Sequence, residues 1–267
     1  MGFAPQWLAL REAADRAARD DALLAAATRL AGAAPVVVDL GAGTGATVRA
    51  LTGHLPDAAR WHLVDHDAAL LALAVANHPN AQACQLDLNR VGDLPLDGAT
   101  LVSASALLDL VSERWLRTLI DILVRHQLPF YAALSYDGVM QWQPELADDA
   151  DITAAFNCDQ CTDKGFGPAL GAASGIMAKT LFEQAGYHVM LAQTPWVLTQ
   201  RHAQLQADLL DGIAGAAARA GHAGAHVWNA ARQALVSQGT CTIGHVDILA
   251  VPTGRVALLD SHGGVDG

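Results

Sequence analysis

Val36-Val37-Val38-Asp39-Leu40-Gly41-Ala42-Gly43-Thr44-Gly45 is the stretch whose reading decides the fold. Three consecutive β-branched residues without polar alternation mark a strand covered on both faces, as in a parallel sheet. The glycines that follow let the backbone pass close beneath a ligand, and a helix opening there presents unpaired N–H groups. Asp39 stands two residues before the first glycine, and Gly45 two after the second. A dinucleotide turn instead has Gly-x-Gly-x-x-Gly, which docks a pyrophosphate on the helix. A carboxylate at Asp39 repels pyrophosphate and suits a cationic ligand. Its plainer reading is an acid that ends a strand.

Upstream, residues 5–31 are Ala-rich, with Trp7, Leu10, Ala14, Ala17, Leu24, Ala27 and Leu30 at helical intervals, and stop at Gly32 and Pro35. They predict one or two helices, a cap over residues 1–34. Downstream, strands are expected over 60–65, 82–88, 100–104 and 130–134. A helix over about 67–77 lies between two of them, and another opens at Ser112 with Trp115, Leu116, Leu119, Ile120 and Leu123 on one stripe. This alternation predicts an α/β fold with a doubly wound, mostly parallel sheet and a ligand outside the carboxyl ends of its strands. Asp65 ends the second strand, twenty residues past Gly45, and Asp87 in Gln85-Leu86-Asp87-Leu88 ends the third. Three acids thus end three successive strands. Singly, Asp65 also reads as a turn former, and Asp67 most simply caps the next helix.

On these residues the chain resembles the class I S-adenosylmethionine (SAM)-dependent methyltransferases, whose first motif is an acid, a spacer, then Gly-x-Gly-x-Gly. The resemblance covers residues 35–135, and 172–251 more loosely. It implies a Rossmann-like sheet of seven strands and SAM as cofactor. Asp39 would face the methionyl ammonium, directly or through water, with Gly41, Ala42, Gly43 and Gly45 running beneath the cofactor. Asp65, with His66 beside it, would accept both ribose hydroxyls. Asp87 would meet the adenine amino group, with Leu88 against the ring. Ser103 and Ser105 mark the end of the fourth strand, beside the transferred methyl group. Arg11 has two readings, a partner for the cofactor carboxylate or a solvated side chain paired with Asp15. In methyl transfer from a sulfonium, positioning dominates, and a base matters only when the acceptor carries a proton of high pKa. Candidate bases are Asp109, beyond the fourth strand, and Tyr136 or Asp137, beyond the fifth; Asp109 equally reads as the start of a turn into the Ser112 cap.

Residues 137–171 show no clean period, and a loop that long inside a compact domain is usually functional. They predict an acceptor-binding lid in which Asn157, Asp163 and Lys164 orient a polar molecule while Trp142, Phe166 and the more distant Trp196 wall it. The plainer reading is a loop that packs on the sheet rim. Residues 172–252 are expected to complete the sheet, with inserted helices over about 200–238 and a last strand over 242–251. A tail over 253–267 follows, all within one structural domain. Cys158-x-x-Cys161 offers two thiolates where a closed zinc site wants four ligands, so no metal is expected. The eleven histidines are dispersed.

Composition narrows the remaining classes. The 267 residues are 52% hydrophobic and 16% charged, which excludes intrinsic disorder. A net charge of −11 without a basic run argues against nucleic acid. Charged or polar residues interrupt every apolar window, so no membrane span is expected. The segment Met1 to Arg11 does not read as a secretory signal, and the cytoplasm is the expected location. The expected partner is a small-molecule acceptor; oligomeric state has no signature here. Two rivals stand beside this reading, an NAD-dependent oxidoreductase and a non-catalytic protein of the same fold that binds a partner through the Ala-rich helices.

Overall fold

The computed structural model describes residues 4–260; residues 1–3 of the expected cap and 261–267 of the expected tail lie outside them. Eight strands form one sheet: β1 (Val36–Leu40), β2 (Arg60–Asp65), β3 (Ala81–Gln85), β4 (Leu101–Ser105), β5 (Phe130–Gln143), β6 (Tyr187–Gln193), β7 (Trp196–Leu198) and β8 (Thr240–Pro252). Seven run in the order β3-β2-β1-β4-β5-β8-β6, and the short β7 joins β8 off this path. The pairs from β3 to β5 are parallel, whereas β8 is antiparallel to β5, β6 and β7. Strand order reverses between β1 and β4, where an open α/β sheet leaves its ligand crevice.

All five β1 residues are buried, as an unalternating β-branched run requires. Val38 and Leu40 pack into one core with residues of α5 (Glu113–His126) and α7 (Ser174–Gln184); Val37 packs into the other with α2 (Asp21–Ala31) and α4 (Ala68–Ala76). The cap is two helices, α1 (Pro5–Ala18) and α2, because Asp20 leaves the helical conformation and its carboxylate accepts the Leu23 N–H at 2.8 Å. Asp67 caps α4 and Ser112 caps α5 in the same way. Strand β3 stops at Gln85, so Asp87 and Leu88 lie just beyond it.

The stretch 137–171 differs from the expected lid loop. β5 continues for 14 residues, and α6 (Asp149–Gln160) follows it. The extended part of β5 pairs with β8, but the register shifts between Ala132 and Ser135 and again between Tyr136 and Met140. Leu134 sits at φ 59°, and such bulges destroy the period-2 pattern by which a strand is read. With β7, α6, α8 (Ala203–Arg219) and α9 (Ala225–Gln233), this ribbon encloses a third core. Trp142 belongs to that core. It is 4% exposed, packs edge-to-face on Trp228 at 5.4 Å, and carries the Arg232 guanidinium 5.2 Å over its ring. Trp142 is therefore corrected from an acceptor wall to a packing residue.

Asp247 of β8 holds the bend of β5. Its Oδ1 accepts the Leu134 N–H at 2.8 Å and the Thr194 hydroxyl at 3.0 Å; its Oδ2 accepts the Tyr131 hydroxyl at 3.1 Å and the Asp20 N–H at 3.2 Å. The residue is fully buried, so each donor loses its partner and gains no water if the carboxylate is removed. Asp247→Ala is expected to lower stability by about 3 kcal/mol, read from the urea midpoint at constant m-value. A shift under about 0.5 kcal/mol would show that the network does not hold the strand.

Candidate functional site

The glycine turn rises from β1 at the point where strand order reverses. Gly41 and Ala42 donate their N–H groups to the Val64 carbonyl at 2.9 and 3.0 Å, and Gly43 donates to Asp65 Oδ2 at 2.9 Å. Gly43 sits at φ 53°, which favours glycine, and a Cβ added there would press on Leu8 Cδ1 of α1 at 3.3 Å. Asp39 lies beneath this turn, 1% exposed. Its Oδ1 accepts the Ser103 hydroxyl at 2.7 Å and its Oδ2 has no partner. Burial pushes its pKa up to about 6, opposed by the Ser103 and Thr47 hydroxyls and the Arg19 charge and reinforced by Asp65. Ser103 pairs with Asp39 across β1 and β4 and is fully buried; it is corrected from a cofactor contact to the hydroxyl that orients Asp39.

Above the turn opens a cleft of about 1110 Å³, part of it open to solvent. Its floor is Gly41 to Thr44 with Ala46, Thr47 and Ser105; Gly45 is outside the lining, at the start of α3 (Ala46–Leu51). One wall holds Asp65, His66, Leu70, Asp87 and Leu88, and the inner end Ala106, Leu107 and Leu110. Asp65 Oδ1 accepts the Asp67 N–H at 3.0 Å and lies 3.2 Å from His66 Nδ1. Asp87 Oδ1 takes the Asn89 N–H at 2.9 Å, and the Leu88 carbonyl accepts the Trp115 indole N–H at 2.7 Å.

Phe166 reaches the cleft from the distant loop. Its ring meets Trp115 edge-on at 5.7 Å, and Asn89 Nδ2 donates to the Gly165 carbonyl at 2.9 Å, fastening the loop to the end of β3. The other expected lid residues have structural work. Asp163 shapes the loop by accepting the N–H groups of Gly165 and Gly167 at 2.7 and 3.0 Å. Lys164 is buried on Asp159 at 2.9 Å, and Arg219 of α8 grips the same carboxylate, so its amine ties α6 to the loop rather than meeting an acceptor. Asn157 is locked between the Tyr136 hydroxyl at 2.8 Å and the Gly138 carbonyl at 3.0 Å. Trp196 donates its indole N–H to Asp15 at 3.0 Å and carries Arg11 over its ring, outside the cleft lining. Asp163, Lys164, Asn157 and Trp196 are thereby corrected as direct acceptor contacts.

Among the candidate bases, Tyr136 is buried and donates its proton to Asn157, and burial with the charges of Asp137 and Asp109 raises its pKa far above neutrality. Held as a phenol, it is not a base at pH 7 and is corrected to a packing residue of the third core. Asp137 accepts the Val139 N–H at 3.0 Å. Asp109 keeps Oδ1 buried and unpartnered, and burial pushes its pKa up to about 6 against the pull of its own backbone N–H, Arg11 and the Tyr136 N–H.

Helix α1 roofs the cleft with Leu8, Arg11 and Asp15, and Arg19 at its C-cap completes the roof. Arg11 lines the space, yet its guanidinium is held bidentately by Asp15 at 2.8 and 3.1 Å, with a side chain 13% exposed rather than solvated. Arg49 grips Glu12 at 2.6 and 2.8 Å and donates to the Thr44 carbonyl at 2.6 Å, tying the roof to the glycine turn. Arg19 was not legible as a site residue. It is 8% exposed, donates Nη2 to Ser105 Oγ at 2.8 Å and Nη1 to the Tyr131 hydroxyl at 3.5 Å, and leaves Nε unpartnered. Its partners are 86 and 112 residues away, and the only local signal is an arginine at the break between two helices. Among the described residues no group of three or more His, Cys, Asp or Glu side chains is placed to hold a metal ion.

No protein-family model and no curated protein matches the chain. Solved structures do. An Anaeromyxobacter dehalogenans protein provisionally named a type II methyltransferase is 16% identical, with 86% of this chain and 95% of that one covered at a TM-score of 0.52. A Geobacter sulfurreducens SAM-dependent methyltransferase in complex with S-adenosyl-L-homocysteine is 14% identical, with 93% and 99% covered at 0.46. Geranyl diphosphate methyltransferase in complex with SAM is 12% identical, with 85% and 82% covered at 0.49. The first likeness establishes the architecture: this chain has the Rossmann-like, mostly parallel α/β fold found in methyltransferases.

Proposed function

We propose that the protein is a SAM-dependent methyltransferase acting on a small molecule. The observation that carries this reading is one cleft bordered by the ends of β1, β2 and β3, with Asp65 and Asp87 on its wall, Asp39 under its floor and Arg19 in its roof. That charge pattern fits a zwitterionic amino-acid end joined to a nucleoside. Asp65 has lone pairs left for two vicinal hydroxyls, since each oxygen takes one backbone N–H. Asp87 would receive the adenine amino group, with Leu88, Leu70 and Phe166 against the ring faces. The bare Asp39 Oδ2 would balance the ammonium from below, and Arg19 would hold the carboxylate, because Arg11 is already neutralised by Asp15. When bound, SAM supplies a methyl group on a sulfonium. Asp109, next in sequence to the lining residue Leu110, would take the proton that a protic acceptor sheds.

The rivals fit less well. A pyrophosphate on the glycine turn would meet Leu8 over Gly43 and the negative charges of Asp39 and Asp65. A non-catalytic, partner-binding role has no use for a roofed cleft that presents Asp65 and Asp87. The small-molecule acceptor, the cytoplasmic setting and the lack of nucleic-acid and membrane contacts belong to the same proposal. They are supported by the −11 charge and by the roofed cleft; no helix among the described residues is long and apolar enough to cross a membrane.

Asp65→Asn is expected to weaken S-adenosylhomocysteine binding at least tenfold by calorimetry, as the loss of charge-assisted hydrogen bonds implies. Unaltered affinity would remove Asp65 from the site. Arg49→Ala should free α1 from the turn; faster amide exchange in Trp7 to Ala14 and a severalfold weaker affinity are expected, whereas unchanged exchange would mean that the roof is held otherwise.

The pH dependence has a definite sign. Asp39 must be ionised to balance an ammonium, so affinity should fall as pH drops through about 6 and become flat in Asp39→Asn. In the apoprotein the raised pKa works the other way. Its stabilising contribution is full below the unfolded value near 3.8 and is lost as pH rises through about 6, so Asp39→Asn should stabilise the apoprotein at pH 7 by up to about 3 kcal/mol. A variant that is destabilised at pH 7 and keeps the wild-type binding profile would refute this assignment.

A further inference from the structure

We propose that Cys158 and Cys161 are a thiol modification site: they close a reversible disulfide by exchange with a small disulfide such as oxidised glutathione, and closure displaces Phe166 from the wall of the cleft. The effect on binding rests on the methyltransferase reading; the bond and the loop movement do not.

The two cysteines stand at the end of α6, Cys158 in its last turn and Cys161 at its C-cap, and the Cys161 N–H donates to the Cys158 carbonyl at 3.2 Å. Three residues apart in helical conformation, their Cα atoms lie about 5 Å from each other, inside the span that a disulfide bridges. Both thiols are free and exposed, whereas Cys241 is buried and Cys84 half-buried. Helical spacing puts their Cβ atoms about 5 to 6 Å apart, and a disulfide wants about 4 Å. The bond therefore forms only as the last turn of α6 tightens.

That turn anchors the Phe166 loop. Asp159, between the two cysteines, accepts the Thr162 N–H at 3.0 Å and the Thr162 hydroxyl at 2.7 Å on its carbonyl. It also takes the Lys164 amine at 2.9 Å on both that carbonyl and its carboxylate. The Cys161 thiol abuts the returning end of the loop, since a Cβ added at Gly171 would lie 3.2 Å from its Sγ. This returning end is fixed to the body: Leu170 donates to the Val111 carbonyl at 2.8 Å and Gly171 to that of Asp109 at 3.0 Å. Phe166 lies between the two ends, flanked by Gly165 at φ 108° and Gly167 at φ 85°. Glycines on both sides make it the part of the loop that yields when the Asp159 end moves against the fixed one.

The exchange is balanced. One cysteine thiolate attacks the small disulfide, forming a mixed disulfide and releasing one small thiolate; the other attacks the protein sulfur of that bond and releases the second. The pair loses two electrons and two protons, and the small disulfide becomes two thiols. Reverse exchange with reduced glutathione reopens the bond, so in a reducing compartment it is transient.

The test follows thiols, loop and binding separately. After incubation with oxidised glutathione, alkylation and peptide mass spectrometry should show Cys158 and Cys161 protected together as an internal disulfide that dithiothreitol reverses. In ¹⁵N spectra the amides of Asp163 to Gly167 should shift on oxidation of the wild type and stay in place in the double variant Cys158→Ser/Cys161→Ser under the same treatment. By calorimetry, S-adenosylhomocysteine affinity should fall about fivefold on oxidation, as the loss of one aromatic contact implies, and be the same in the double variant under either condition. Glutathione mixed disulfides alone, a disulfide between chains, loop amides unmoved by oxidation, or unaltered affinity in the oxidised wild type would each overturn the proposal. A reduced protein that takes no S-adenosylhomocysteine would sink the cofactor reading instead, and the thiol and amide results then decide the site by themselves.

Discussion

The structure depends on a carboxylate buried where it is costly to bury one. Near the end of the central strand, Asp39 has the Ser103 hydroxyl on one oxygen and nothing on the other, and burial pushes its pKa up to about 6. A parallel sheet covered on both faces leaves polar groups one outlet, the rim at the carboxyl ends of its strands. Asp39, Asp65 and Asp87 all lie there. The glycine turn is built around the same charge: Gly43 donates to Asp65, Ser103 reaches under to Asp39, and the cleft opens above them.

Arginines answer this negative rim, each assigned to a different task. Arg49 latches α1 to the turn through Glu12 and Thr44, and in doing so holds the Glu12 carboxyl below the usual range. Arg11 is neutralised by Asp15, which Trp196 steadies. Arg19 alone reaches the floor at Ser105 with a nitrogen to spare. Three arginines on one surface would be equivalent as charges; their hydrogen-bond partners make them distinct.

The second half of the sheet does other work. Asp247 gathers α2, β5 and the segment between β6 and β7, and lets β5 bend past Leu134 and run on as a ribbon. The third core formed on that ribbon packs Tyr136 against Phe156 and His245. α1 reaches the same core through Ala14, and Trp196 of β7 bonds to its Asp15, so the roof rests on the second half of the sheet.

The sequence by itself determined the parallel half of the sheet, the glycine turn, the caps at Asp67 and Ser112, and the acids at three strand ends. All of these rest on local patterns: β-branched runs, Gly spacing and side chains that bond to neighbouring backbone. Only the tertiary structure decided that Trp142 and Lys164 serve packing, that Ser103 serves Asp39, and that Arg19 reaches the site. Bulges in β5 erased the alternation over the very stretch that looked like a loop, and a hydrogen bond spanning 86 residues leaves no mark on the residues between. Short-range geometry is written in residue order, whereas the pairing of distant polar groups is set by which of them the packed chain shuts away from water together.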